Sequence, residues 1–244
     1  MSSPKRVIVL DIEGTTTAIS FVYDAMFPFV RRTLDHHLNA HWGQPELMGD
    51  VALLRAQAQQ DIADGVDGVV PVGDTEEADL KAQVRANVLW QMDHDRKTTG
   101  LKSLQGHIWK AGFASGELKG HVFDDVPGQL EAWANAGVPV YIYSSGSVSA
   151  QKLLFGHSEA GDLTRFLSGH FDTQIGSKKE ASSYRAIADQ IGVPIAAITF
   201  VTDSHAEAVA AGEAGVQAIL SIRPGNPELP DHDFPTVTSL TEVP

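Results

Sequence analysis

Val7-Ile-Val-Leu10 is four residues long, wholly apolar and mostly β-branched, and it stops at a carboxylate, Asp11. A run with no polar position to turn toward water suits a strand covered on both faces, as in a parallel sheet held between helices. The pattern recurs downstream. Val138-Pro-Val-Tyr-Ile-Tyr143 ends at Ser144, Ile198-Thr-Phe-Val201 ends near Asp203, and Val216-Gln-Ala-Ile-Leu220 follows a helix-like stretch. Between these runs lie helical spacings, Leu130, Trp133 and Ala134 before Gly137, and Tyr184, Ile187, Ala188 and Ile191 before Gly192. Each ends on a glycine, the residue that most readily closes a helix C-terminus. Strand and helix alternating in this way imply an α/β fold with a doubly wound, Rossmann-like parallel sheet. In such sheets ligands gather beyond the carboxyl ends of the strands, where Asp11, Ser144 and Asp203 all fall.

Residues 18–120 break the rhythm. They carry helix-like stretches at Phe21 to Leu38, Pro45 to Ala63 and Glu76 to Asp93, with few strand candidates. The expected organisation is therefore a helical cap over 18–120, inserted after the first strand, and an α/β core formed by 1–17 and 121–244. A chain of 244 residues with 43% hydrophobic content is large enough to bury such a core and one inserted module. Asp64 to Asp74 is rich in turn formers and is expected to link two cap helices. The Pro/Gly-rich loop Arg223-Pro-Gly-Asn-Pro-Glu-Leu-Pro230 takes no role from its sequence alone.

A formal charge of -13 repels nucleic-acid backbones and anionic lipid surfaces, so neither is an expected partner. An anionic substrate would then need local positive charge from a metal, a lysine or backbone N–H groups. Cysteine is absent, which removes disulfides, thiolate catalysis and Cys-ligated zinc, and suits a cytoplasmic enzyme. The four apolar residues after Met1-Ser-Ser-Pro-Lys-Arg6 are too few for a signal-peptide core, and the run from Val193 to Val201 is far below a membrane span.

The chemistry-bearing residues sit at the strand ends. In Asp11-Ile-Glu13-Gly14-Thr15-Thr16 two carboxylates stand two residues apart, with a glycine that lets the chain turn sharply. A carboxylate held against phosphorus can form an aspartyl-phosphate and split one hard hydrolysis into two easier steps, which makes Asp11 the candidate nucleophile. Glu13 is the candidate general acid and base. Ser144-Ser145-Gly146-Ser147 offers hydroxyls and N–H groups at a strand-to-helix junction, either to a phosphate or as a helix N-cap. Lys178, in Gly176-Ser-Lys178-Lys179, can balance the carboxylates and hold a phosphoryl oxygen as a point charge. Asp203 presents an acid after another buried strand, with Glu207 one helical turn further on. Mg²⁺ takes one or two carboxylates plus waters and substrate oxygens, so Asp11, Asp203 and the Glu13 backbone carbonyl are a sufficient set for one ion. His36, His37 and His41 lack a third ligand at zinc spacing, and His205 is left outside the site.

The order Asp-x-Glu-Gly-Thr, strand-end serine, lysine and strand-end aspartate resembles the four motifs of the haloacid-dehalogenase-type phosphotransferases. The second acid there is usually aspartate, and Glu13 in its place is similar to the enolase-phosphatases of methionine salvage. Asp95-Arg-Lys-Thr-Thr-Gly-Leu-Lys-Ser-Leu-Gln-Gly-His107, Trp109 to Val126 and Tyr141 to His157 resemble the same family. The resemblance implies Mg²⁺ at Asp11, Glu13 and Asp203, with Ser144, Ser145 and Lys178 contacting substrate. Lys179 is a second candidate for the clamp, and family spacing favours Lys178. The implied activity is conversion of 2,3-diketo-5-methylthiopentyl-1-phosphate to an acireductone and phosphate by a monomer, with the cap excluding water. The enolisation base is not identifiable. Arg96, Lys97 and Trp109 are candidates either for substrate recognition or for helix packing. The alternatives are a capped phosphatase for another small phosphate ester and a phosphorylatable receiver-like signalling module; the long helical insertion argues against the second.

Overall fold

The computed structural model describes residues 6–244, so Met1–Lys5 at the head of the N-terminal stretch lie outside the described residues. The chain divides into two compact units, one made of 1–25 and 119–244, the other of 26–118. Against the sequence-based division at 18–120, the segment 18–25 and residues 119 and 120 group with the first unit.

The first unit is built on a six-stranded sheet: β1 (Val7–Leu10), β2 (Val140–Tyr143), β3 (Gly169–Phe171), β4 (Ile198–Thr202), β5 (Gln217–Ser221) and β6 (Thr236–Val237). Every pairing is parallel, in the order β3-β2-β1-β4-β5-β6. The order reverses about β1, which lies between β2 and β4 with Leu10 opposite both Ile142 and Val201. The residues following these three strands therefore emerge together at the switch point of the sheet.

Among the described residues, the α-helices of this unit are α5 (Asp125–Asn135), α6 (Val148–Gly156), α7 (Ala181–Ile191) and α8 (His205–Ala214). β1 and β4 are buried at every position, as their unbroken apolar runs require. Tyr143, Tyr184, Ile187, Phe200, Ala208, Ala211 and Leu220 pack a core between the sheet and α7 and α8. The expected glycines close the helices: Gly192 caps α7 in the left-handed region, and Gly137 follows α5 with φ of 69°.

The second unit is helical: α1 (Phe27–His41), α2 (Pro45–Ala63), α3 (Glu77–Asp93) and α4 (Thr99–Ser115). The expected helix from Phe21 opens instead as a π-helical turn, Phe21–Met26, and the α-helix begins at Phe27 with Pro28 in its first turn, where proline costs no hydrogen bond. Leu34, Leu54, Val84, Val88, Leu104 and Ile108 are buried in this unit. Trp109 joins them, its Nε1 donating to the Met26 carbonyl at 3.0 Å. Arg96 is held by both Asp61 carboxylate oxygens at 2.7 Å, and Lys97 is exposed beside Asp95. The turn-rich 64–74 segment runs between α2 and α3. Among the described residues no helix is long and apolar enough to cross a membrane.

Candidate active site

Asp11 is the residue after β1 and is 4% exposed. Its backbone N–H continues the sheet by donating to the Val201 carbonyl at 2.9 Å, and its Oδ1 accepts from the Ile12 N–H at 2.7 Å. The chain then folds back on itself: the N–H groups of Thr15, Thr16 and Thr17 all donate to the Ile12 carbonyl, and Gly14 N–H donates to the Thr17 carbonyl at 2.8 Å. Gly14 makes this turn possible for two reasons. Its φ is +67°, and a Cβ there would lie 2.6 Å from Asp203 Cγ and 2.8 Å from Asn226 Oδ1.

Lys178 Nζ sits 2.7 Å from Asp11 Oδ1 and 3.0 Å from Glu207 Oε2, with its side chain 12% exposed. The neighbouring Lys179 is exposed. Two buried tyrosines fix the loop that carries Lys178: Tyr143 donates to the Gly176 carbonyl at 3.1 Å and Tyr184 to the Lys178 carbonyl at 2.6 Å. Gly176 has φ of +131° and abuts Ser183, so a side chain there would strike the Ser183 hydroxyl. Burial works against the Lys178 ammonium, yet the charges of Asp11 and Glu207 outweigh it and raise its pKa above the ordinary lysine value.

Glu207 lies in the first turn of α8 and is buried. Thr202, the last residue of β4, donates its hydroxyl to Glu207 Oε2 at 2.7 Å, and that hydroxyl oxygen lies 3.3 Å from Asp11 Oδ2. Burial, and then the Asp11 charge, push the Glu207 carboxyl above its ordinary range. Asp203 follows Thr202, and burial together with the charges of Asp11 and Glu207 pushes its carboxyl up to about 7. Several carboxylates thus converge on one ammonium, an excess of negative charge that a hard divalent cation would relieve. Two strand-end carboxylates plus a backbone carbonyl are the donor set that Mg²⁺ accepts, and among the described residues no group of three or more His, Cys, Asp or Glu side chains is arranged to hold a metal alone. The residues present fit the ion.

Ser144 follows β2, is 4% exposed, and accepts from the Gly146 N–H at 3.1 Å. The N-cap role falls to Ser147, whose Oγ accepts from Ala150 N–H at 3.3 Å. Gln151, buried on α6, staples the loop by donating to the carbonyls of Gly146 and Phe171. Asp11, Lys178 and, through Thr202 and Glu207, the end of β4 thus meet in one hydrogen-bonded group, with Ser144 and Ser145 at the adjoining end of β2. The His205 ring lies near His232 and Phe234. Thr202, Tyr143, Tyr184 and the loop residues Arg223 and Asn226 were not visible as site residues in the sequence. Thr202 stands between an apolar run and Asp203 with nothing to single it out, and Tyr184 reads as part of a helix stripe.

The family model for haloacid dehalogenase-like hydrolases matches residues 5–215. A probable bifunctional methylthioribulose-1-phosphate dehydratase/enolase-phosphatase E1 of Arabidopsis thaliana is 52% identical over 98% of the chain, and the chain spans about half (48%) of that relative's length. Enolase-phosphatase E1 of Xenopus tropicalis is 49% identical over 98% of this chain and 93% of its own. Among solved structures, the UTR4 protein of Saccharomyces cerevisiae superposes with a TM-score of 0.77 at 29% identity, covering 96% of this chain and 98% of its own.

Proposed function

Because the chain belongs to the haloacid dehalogenase-like hydrolases and, within them, to the enolase-phosphatase E1 family, we propose that it enolises 2,3-diketo-5-methylthiopentyl-1-phosphate and then removes the phosphate, leaving the acireductone 1,2-dihydroxy-3-keto-5-methylthiopentene, a step of methionine salvage. The observation that carries the reading is Asp11, buried at the switch point of the sheet with an ammonium 2.7 Å from one carboxylate oxygen. The ammonium holds that oxygen in place, as the nucleophile of an attack on phosphorus must be held.

In this reading a carboxylate oxygen of Asp11 attacks phosphorus and the bond to the substrate oxygen breaks, with Glu13 giving a proton to the departing oxygen. Glu13 then takes a proton from water as that water attacks the aspartyl-phosphate, releasing inorganic phosphate and restoring Asp11. Lys178 lies against the nucleophile, where it can neutralise charge on the transferring oxygens, and the hydroxyls and N–H groups of Ser144 and Ser145 serve the others. Asp11, Asp203 and the Glu13 carbonyl would hold Mg²⁺, which when bound supplies Lewis-acid polarisation of the substrate carbonyl and of the phosphoryl group.

The test mixes purified protein with the diketo phosphate, with Mg²⁺ or with chelator, and follows the enol absorbance and inorganic phosphate together. Enol formation followed by Mg²⁺-dependent phosphate release, with release lost in Asp11→Asn, is the expected result. Phosphate release from unrelated esters but none from the diketone would reduce the reading to a general phosphatase. A stoichiometric, retained phosphoryl group without turnover would overturn it.

A further inference from the structure

The Pro/Gly-rich loop after β5 returns to the nucleophile turn. Arg223, buried, anchors it: Nε donates to the Thr15 carbonyl at 3.2 Å, the two terminal nitrogens donate at 2.8 Å to the Thr238 carbonyl and to Asp125 Oδ2, and the guanidinium lies 4.6 Å above the Phe123 ring. A tight turn, closed by Asn226 N–H donating to the Arg223 carbonyl at 3.1 Å, then delivers the Asn226 side chain. Its Nδ2 donates to the Gly14 carbonyl at 2.9 Å and to the Ser221 carbonyl at 3.1 Å. Two carbonyls on the nitrogen side fix the amide's orientation, since a flip would set Oδ1 against both.

The Oδ1 so oriented is buried and, among the described residues, has no hydrogen-bond partner. It stands on the same side of Gly14 as the Asp203 carboxylate, since a Cβ there would come within 2.8 Å of Oδ1 and 2.6 Å of Asp203 Cγ. Thr15 Oγ1 and Ser221 Oγ, on the two segments Asn226 bridges, are likewise buried without a partner. A buried acceptor left unpaired costs about 1–3 kcal/mol, so Asn226 Oδ1 calls for a donor. Water in the shell of a divalent cation is such a donor.

We propose that Asn226 is a positioning residue of the cation site, its amide N–H holding the Gly14 carbonyl and its Oδ1 accepting from the water shell of the ion held at Asp203. This rests on the Mg²⁺ reading above. Groups that support a ligand set from behind are worth about 10- to 100-fold in metal affinity.

The test is calorimetric titration of metal-free protein with Mg²⁺, without substrate, alongside thermal unfolding in chelator. Asn226→Ala is expected to weaken Mg²⁺ binding by about 10- to 100-fold. Asn226→Ser, whose shorter side chain cannot reach Gly14, carries the same expectation should the alanine variant fail to fold. Pro224→Ala, exposed in the same loop, is expected to bind Mg²⁺ as the parent does. Variants that lose thermal stability in chelator but bind Mg²⁺ within about two-fold of the parent would overturn the proposal and leave Asn226 a loop staple. A parent protein that binds no Mg²⁺ would instead overturn the reading on which the proposal rests.

Discussion

Replacing Lys178 with methionine keeps the length of the stem and removes the ammonium paired with Asp11 and Glu207. The ammonium lies 2.7 Å from Asp11 and 3.0 Å from Glu207, so at an effective dielectric of about 20 each pair contributes roughly 6 kcal/mol of gross attraction. Desolvation of the three groups offsets most of that, and removing one partner of a buried pair costs about 3–5 kcal/mol. For a chain of this size each kcal/mol moves Tm by roughly 2–4 °C, so metal-free Lys178→Met is expected to melt about 6–20 °C below the parent at pH 8. The deficit has a sign in pH. Without the ammonium, Glu207, whose carboxyl burial and Asp11 already push upward, holds a proton in the folded chain that the unfolded chain releases above about 4.3. Stability of the variant therefore falls as pH rises through the interval from that value to the folded one, and the deficit is smaller at pH 5 than at pH 8. Circular dichroism melts in chelator at both pH values measure it. A variant that melts within about 2 °C of the parent at pH 8 would refute the reasoning, because Lys178 would then be a solvated lysine.

Gly14→Ala places a Cβ 2.6 Å from Asp203 Cγ and forces a side chain into φ of +67°, so it is expected to cost about 1–2 kcal/mol of backbone strain and to weaken Mg²⁺ binding by about ten-fold or more, read by calorimetry. His37, whose pKa is pushed down to about 4 by burial and by His41, His107 and His36, stays neutral while the unfolded chain takes up a proton below about 6.5. Its neighbour His107 is held by Asp50. The stability lost by the parent as pH falls from 6.5 toward 4, up to about 3 kcal/mol from this group, is expected to shrink in His37→Gln, as urea titrations at pH 7 and pH 4.5 would show. Trp109→Phe removes the Nε1 hydrogen bond to the buried Met26 carbonyl and should cost about 0.5–1.5 kcal/mol in denaturant unfolding with KM unchanged; a raised KM at full stability would assign Trp109 to substrate instead.

The strands that carry the chemistry were legible because burial on both faces leaves no polar position, and β1 and β4 follow that rule residue by residue. Helix α2 was legible to its ends, Pro45 being a first-turn residue. Strand β3 was not, since three residues starting at Gly169 carry no period, and β6 has only two. Helix α4 holds three glycines, at 100, 106 and 112, which lower its helical propensity; tertiary packing of Leu101, Leu104 and Ile108 overrides that cost. Within the site, Asp11, Ser144 and Asp203 stood out because polar groups at the ends of buried strands are conspicuous, and Lys178 as a cation able to balance them. Thr202, Arg223 and Asn226 act through contacts with segments far away in sequence, and a local pattern cannot carry such information.

The central claim is that Asp11 is phosphorylated during turnover. Rapid acid quenching of the reaction with the diketo phosphate, followed by peptide mass spectrometry, tests it most directly. The account predicts one phosphoryl group on the peptide containing Asp11, present in the parent before steady state and absent in Asp11→Asn. Full phosphate release with no phosphorylated peptide at any quench time, or an active Asp11→Asn, would contradict it.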